Sequence, residues 1–298
     1  MIENIRKYPR SAKADYKFCL LIPTWNNLEY LKLCISSIVK NSYHELQIIV
    51  IVNEGKDGTL EWVDSQHEID YVHSKVNIGI CYGLNIARSL IKSQYIIYVN
   101  DDMYMLPNWD LALDEEIERI GNKSFMLSGT LIEPTETGNS CVIVRDYGSD
   151  IGSFNEKLLL EEYSHLYIND WNGSTWPPNV VHIDMWDLVG GLSTEFSPGM
   201  YSDPDFSRKL FEAGVRLFKG KGNSLVYHFG SKSTHRVKKN KGRNTFILKW
   251  GITSKIITMK YLKKGERFSG PVAVPRLDKK TLLMSKLKRM LSCLKTKI

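Results

Sequence analysis

The chain has 298 residues, 43% of them hydrophobic and 24% charged, with a formal net charge of +7. This is the make-up of an ordinary globular protein with room for one large domain or two small ones. It excludes a disordered chain, a collagen-like repeat and a disulfide scaffold.

Residues 1–16, "MIENIRKYPRSAKADY", read as an N-terminal extension with no apolar run behind its charges, so no secretory signal is expected. "KFCLLIPTW" predicts a buried strand that ends in polar residues. "NNLEYLKLCISSIVKN" follows with Leu28, Leu31, Ile35 and Ile38 at helical spacing. "LQIIVIVNEG" is a second buried strand, "DGTLEWVDSQ" a short helix and "IDYVHSK" a third strand. "NIGICYGLNIARSLIK" is a long helix, and "YIIYVNDD" a fourth strand closed by Asn100, Asp101 and Asp102. Solidly apolar strands alternating with helices predict a parallel sheet covered on both faces.

The second half is less regular. "FMLSGTLIEPT" predicts another strand, and residues 135–180 a loop-rich region containing "WNGSTWPPN". "MWDLVGGLS" predicts a helix stopped at Gly190-Gly191, and "DPDFSRKLFEAG" a helix with an acidic start and a glycine stop. "VRLFKG" and "SLVYHFG" read as short strands, and "NTFILKWGITSKIITMKYL" as one further helix. "GERFSGPVAVPRLD" reads as a linker to "KKTLLMSKLKRMLSCLKTKI", a basic amphipathic tail. An anionic membrane surface is the expected partner of that tail, with packing on its own domain or in a dimer seam as the alternative. No apolar stretch of about 18 residues exists. Cys19, Cys34, Cys81, Cys141 and Cys293 form no CxxC, which predicts a reducing cytoplasm and no zinc cluster. The expected location is therefore the cytoplasm, peripheral to the inner membrane face.

In parallel sheets, ligands bind at the carboxyl ends of the strands. Three ends carry polar groups here: Thr24-Trp25-Asn26, Asn53-Glu54 and Asn100-Asp101-Asp102. None carries GxGxxG or GxxxxGK[ST], so no dinucleotide or P-loop site is expected. Two carboxylates at such a mouth can hold Mg²⁺ or Mn²⁺ bridging the phosphates of a nucleotide-diphosphate. The plainer alternative makes Asp101 and Asp102 caps of the helix that "MLPNWDLAL" begins.

In this order and spacing, "LLIPTWNNLEYLKLCISSI", "IIVIVNEGKDGTLEW", "NIGICYGLNIA" and "VNDDM" resemble family 2 glycosyltransferases of the GT-A fold, over about residues 17–255. The resemblance implies a Rossmann-like, mainly parallel α/β sheet flanked by helices. The domain would span 17–263, with a nucleotide-sugar half at about 17–131 and an acceptor half at about 132–263, followed by linker and tail at 264–298. It implies nucleotide-sugar contacts from Pro23, Thr24, Asn26, Asn53, Asn77, Gly79, Asn85, Asn100 and Asp101, with Asp102 as direct metal ligand. His228 resembles the histidine that completes such metal sites; a purely structural role is its alternative. "GMYSDPDFSRKLFEAG" resembles the family's acceptor-side motif and makes Asp203 the base candidate, with Asp205 second. A helix cap before Pro204 is the alternative for Asp203. Trp186 and Asp187 resemble residues lining the acceptor pocket, and Trp176 offers an indole face for a sugar. Lys232 and Arg236, in a basic run just beyond His228, are expected to face the diphosphate.

Three positions depart from the pattern: Asn53 replaces the usual Asp, Ser202 the usual Glu, and Lys56 a small hydroxyl residue. The expected protein is a metal-dependent inverting hexosyltransferase using a nucleotide-diphosphate sugar, with UDP as the expected carrier. Its acceptor would be a glycan or lipid-linked saccharide in cell-surface polysaccharide synthesis. Ser202 and Asn53 favour, as an alternative, an inactive sugar-nucleotide or glycan-binding module. A nucleotidyltransferase would need a Gly-rich, basic first loop, which "PTWNNLEY" lacks. No nucleic-acid recognition motif accompanies the basic stretches.

Overall fold

The computed structural model of the chain describes residues 4–230 and 240–296. Eleven strands form one sheet. In chain order they are β1 (Ile5–Tyr8), β2 (Tyr16–Trp25), β3 (Gln47–Asn53), β4 (Asp70–Ser74), β5 (Ser93–Tyr98), β6 (Met103–Met105), β7 (Phe125–Glu133), β8 (Val142–Val144), β9 (Trp171–Asn172), β10 (Asn179–His182) and β11 (Leu217–His228). The main path across the sheet is β1-β4-β3-β2-β5-β10-β7-β11-β6.

The run β4-β3-β2-β5 is parallel, as the apolar strands predict. The second half is mixed, because β10 runs antiparallel to both β5 and β7. Since β5 and β7 both oppose β10, they point the same way, and β11 is parallel to β7. The carboxyl ends of β2, β3, β5, β7 and β11 therefore lie along one edge. β6 pairs antiparallel with β11 at the far side of the sheet. The turn Asn100–Asp102 thus carries the chain from mid-sheet to its border.

The helices are α1 (Leu28–Asn41), α2 (Thr59–Ser65), α3 (Gly79–Ala87), α4 (Trp109–Ile120), α5 (Glu156–Glu162), α6 (Ile183–Val189), α7 (Ser202–Glu212), α8 (Gly242–Trp250), α9 (Ser254–Ile256) and α10 (Lys279–Thr296). Alternate residues of β2 sort onto two faces. Phe18, Leu20 and Ile22 pack with Leu31, Ile35, Trp109 and Leu113 of α1 and α4. Cys19 and Leu21 pack with Leu84 of α3 and with Trp186, Phe206 and Leu210 of α6 and α7.

Four details differ from the sequence expectations. The N-terminal extension is not loose, since β1 pairs antiparallel with β4 and closes the sheet edge. The backbone N–H groups of Arg10 and Ser11 both donate to Asp70, which holds that approach in place. The two short strands at 215–230 are one strand, β11, whose register against β7 shifts between Gly220 and Leu225. The single helix expected at 244–262 is broken, because Gly251 at φ 72° ends α8 in the left-handed conformation that stops helices. Finally, the expected linker is pinned to the domain by hydrogen bonds from Phe268 N to Asp170 O and from Val272 N to Arg216 O, both 2.8 Å.

The tail forms α10 and packs against α8. It turns its serines inward: Ser285 is 2% exposed and Ser292 7%. Leu283, Leu287, Met290, Leu291 and Leu294 all stay exposed.

Candidate active site

A cavity of about 350 Å³ opens at the carboxyl edge of the sheet. The strand ends supply its floor: Pro23 and Thr24 from β2, Asn53 from β3, Asn100 to Asp102 after β5, Glu133 from β7 and His228 from β11. Asn77 and Gly79 enter at the start of α3, Asp203 from α7, and Trp176 from the loop before β10.

Each group is placed by local rules. Asp101 and Asp102 lie in the turn between β5 and β6. They are not caps of α4, whose N-cap is Asn108. Met103 pairs with His228 in the ladder, so Asp102 and His228 are neighbours. Phe229 N donates to Asp102 O at 3.2 Å. His228 Nε2 lies 3.4 Å from Asp102 Oδ1, and its Nδ1 lies 2.7 Å from Glu133 Oε1. Burial alone would lower the His228 pKa, but the Asp102 and Glu133 carboxylates outweigh it and push it up to about 10.

Asn53 is buried and spends its amide on the fold: its Nδ2 donates to Thr24 O at 3.2 Å and its Oδ1 accepts from Ile78 N at 2.9 Å. Asn77 Oδ1 accepts from Gly79 N at 2.8 Å, opening α3. Gly79 has φ +72°, and a Cβ there would sit 2.5 Å from Pro198 Cα, so only glycine lets the 197–200 loop close on this half of the site.

Asp203 occupies the first turn of α7, whose N-cap is Tyr201, so it is inside the helix and not its cap. Burial pushes its carboxyl up from 3.8 to about 7, with a Ser202 hydrogen bond opposing the rise. Asp205 sits two residues on, roughly 200° around the helix, and faces away. It is fully buried, accepting from Ser193 Oγ at 2.6 Å and Trp250 Nε1 at 2.7 Å, and it pairs with Lys249 at 2.9 Å. It does not line the cavity, which leaves Asp203 as the carboxylate there from α7.

Four further expected residues lie elsewhere. Asn26 shapes the next turn, its Oδ1 accepting from the N–H groups of Gly55 and Lys56. Asn85 makes two hydrogen bonds with the backbone of Leu192. Trp186 is core, 4% exposed against Phe206. Asp187 is held bidentately by Arg88 at the surface. Lys232 and Arg236 lie outside the described residues. Glu133 was not singled out from sequence, although a carboxylate closing an apolar strand is the same signal that marked Asp102.

The cavity lining holds Asp101, Asp102, Glu133 and Asp203 and, among the described residues, no Lys or Arg. An anionic diphosphate entering it needs a cation. Among the described residues no three His, Cys, Asp or Glu are placed to hold a metal by themselves. Mg²⁺ and Mn²⁺ do not require that, because they take one or two carboxylates and finish their shell with phosphate and water oxygens. The donor set fits: His228 Nε2 and Thr24 Oγ1 are buried atoms without a hydrogen-bond partner among the described residues, and both residues line the cavity beside Asp102.

The family model described as glycosyl transferase family 2 matches residues 19–157. Asp203 and His228 lie beyond that match. An uncharacterized glycosyltransferase of Haemophilus influenzae is 28% identical over 174 residues, 57% of this chain and 46% of that protein. The putative colanic acid biosynthesis glycosyl transferase WcaA of Escherichia coli is 27% identical over 97 residues, 30% of this chain and 33% of that protein. This chain spans under half the length of either relative. The structure of TarS residues 1–349 from S. aureus superposes with a TM-score of 0.54 at 12% identity, covering 94% of this chain and 72% of that one. GalNAc-T7, solved with UDP, GalNAc and Mn²⁺, gives 0.54 at 13% identity, covering 76% and 45%. These two likenesses carry the fold.

Proposed function

From the match of residues 19–157 to the glycosyl transferase family 2 model and the likeness to GT-A folds, we propose that the chain is an inverting, metal-dependent hexosyltransferase. It takes a nucleotide-diphosphate sugar, with UDP as carrier, and a glycan or lipid-linked acceptor. The observation that carries this reading is the meeting of Asp102, His228 and Asp203 in one cavity whose described lining has no Lys or Arg. The UDP and Mn²⁺ bound to GalNAc-T7 and the colanic acid in the name of WcaA point the same way.

Asp102 and His228 would hold Mn²⁺ or Mg²⁺. A cation there supplies charge neutralisation for the departing diphosphate. Thr24 offers the nucleotide a hydroxyl that has no hydrogen-bond partner among the described residues, and Asn100 and Asp101 line the wall beside it. Asp203 accepts the proton of the acceptor hydroxyl as that oxygen bonds to the anomeric carbon. The bond from carbon to phosphate oxygen breaks, and the nucleoside diphosphate leaves with its electron pair. Trp176 borders the same cavity as an apolar surface for a sugar.

Calorimetry with UDP tests the donor site. Uptake is expected with Mn²⁺, lost with chelator and lost in Asp102→Asn. Equal uptake in all three overturns the metal reading. Release of UDP from a panel of sugar nucleotides distinguishes a transferase from an inactive binding module.

The tail is part of the proposal, as the chain's hold on the cytoplasmic membrane face. Among the described residues no helix is long and apolar enough to cross a membrane. The exposed Leu and Met row of α10, beside Lys280, Lys286 and Arg289, suits shallow insertion into anionic lipid. Changing Leu287 and Met290 together to glutamate should weaken binding to phosphatidylglycerol vesicles by roughly tenfold or more. Unchanged co-sedimentation would remove the membrane from the account.

A further inference from the structure

Glu133 lies at the carboxyl end of β7 and is 7% exposed. Ile132 pairs with Tyr227 in the parallel ladder, so Glu133 and His228 leave their strands side by side. Three contacts hold Glu133. Its carbonyl accepts from Arg145 N at 3.0 Å, its Oε2 accepts from Thr137 Oγ1 at 3.1 Å, and its Oε1 meets His228 Nδ1 at 2.7 Å.

The two ring nitrogens of His228 are in unlike settings. Nδ1 is in a short hydrogen bond, whereas Nε2 is buried without a hydrogen-bond partner among the described residues, 3.4 Å from Asp102 Oδ1. Glu133 thus fixes the rotation of the ring and, by accepting the Nδ1 proton, leaves Nε2 as the nitrogen that a cation would take on displacing its proton. That nitrogen points at Asp102. Two neighbouring ligands of one small octahedral ion, each about 2.1 Å from it, lie about 3 Å apart. The gap between Nε2 and Oδ1 is of that order.

We propose that Glu133 is a positioning residue for the divalent cation, acting through His228 by holding Nε2 toward Asp102. This rests on the donor-site reading above, since it assigns to Glu133 the aiming of a ligand that reading places on the cation. A carboxylate behind a metal-bound histidine orients the ring and raises its basicity, and removing such a partner typically lowers metal affinity 10–100-fold. Thr137, itself exposed, sets the carboxylate in turn.

The test uses the full chain, Mn²⁺ and UDP, read by electron paramagnetic resonance. Wild type should bind Mn²⁺ and show nitrogen modulation from an imidazole ligand. Glu133→Gln should bind Mn²⁺ about 10–100-fold more weakly and lose that modulation. Thr137→Val, a surface change that leaves the fold undisturbed, should move affinity a few-fold in the same direction, so the inference stands or falls even if Glu133→Gln unfolds. Unchanged affinity and modulation in both variants overturn the role of Glu133 while leaving the donor site intact. Weaker binding with the nitrogen signal kept also overturns it, because Glu133 would then be a direct ligand. No Mn²⁺ binding by wild type in the presence of UDP would sink the donor-site reading itself.

Discussion

Asp203→Asn should lower the rate of transfer by about 10²–10⁴-fold, the contribution of a positioned general base, with uptake of UDP and Mn²⁺ unchanged. The asparagine keeps the shape and loses only the proton acceptor. Because burial pushes the Asp203 carboxyl up to about 7, wild-type kcat/KM should rise with pH up to about 7 and then level, while residual activity of the variant lacks that limb. The same group has an opposite effect on stability. Its folded value lies above its unfolded 3.8, so its charge costs nothing below pH 3.8 and costs more as pH rises through about 7. The variant should therefore melt higher than wild type at pH 8 and level with it at pH 3. Transfer that survives the substitution, with the limb in place, would assign the base elsewhere.

The second large effect lies at the other end of β11. Lys219 Nζ sits 2.8 Å from both Glu116 and Asp170, and Lys221 Nζ is 3.2 Å from Asp170. Lys219 and Glu116 side chains are each 4% exposed. Glu116→Ala leaves two buried ammonium groups facing one carboxylate and should cost about 3–5 kcal/mol of folding stability. Replacing Glu116 by Leu together with Lys219 by Met removes both charges and should recover most of that loss, since an apolar pair of similar volume is often as stable. Urea denaturation of the three chains measures both. A single variant within about 0.5 kcal/mol of wild type would mean that the cluster is solvated.

The first half of the chain was legible because its signals are local. Solid apolar runs from Phe18 to Val99 could only be buried strands, and helical spacing lay between them. Asn100 to Asp102 stood out as polar residues where a strand should have continued. The second half was less legible because its order is set by distant pairing. Nothing in "PNVVHI" announces that β10 inserts antiparallel between β5 and β7. Asp203 and Asp205 could not be separated until the start of α7 was fixed, two residues earlier than Pro204 at the first helical position implies. With Ser202 first, the two carboxylates fall on opposite sides of the helix, and Asp205 turns to Lys249. Trp186 shows the limit of composition, since an indole suits a sugar and a core equally and only its neighbour Phe206 decides. Glu133 needed the β7–β11 register to acquire meaning.

That register has a consequence of its own. From Phe125 to Thr130 is five steps along β7, matched by eight from Leu217 to Leu225 on β11. The surplus is odd, so the alternation of side chains inverts across it. Phe218 packs with Phe206 and Leu210, yet Val226, an even number of residues later, packs with Ile22 and Trp109 on the opposite face. The orientation of His228 is therefore written in a length as well as in a letter. Trimming or adding a single residue between 221 and 224 would keep the imidazole in the sequence and turn it out of the cavity.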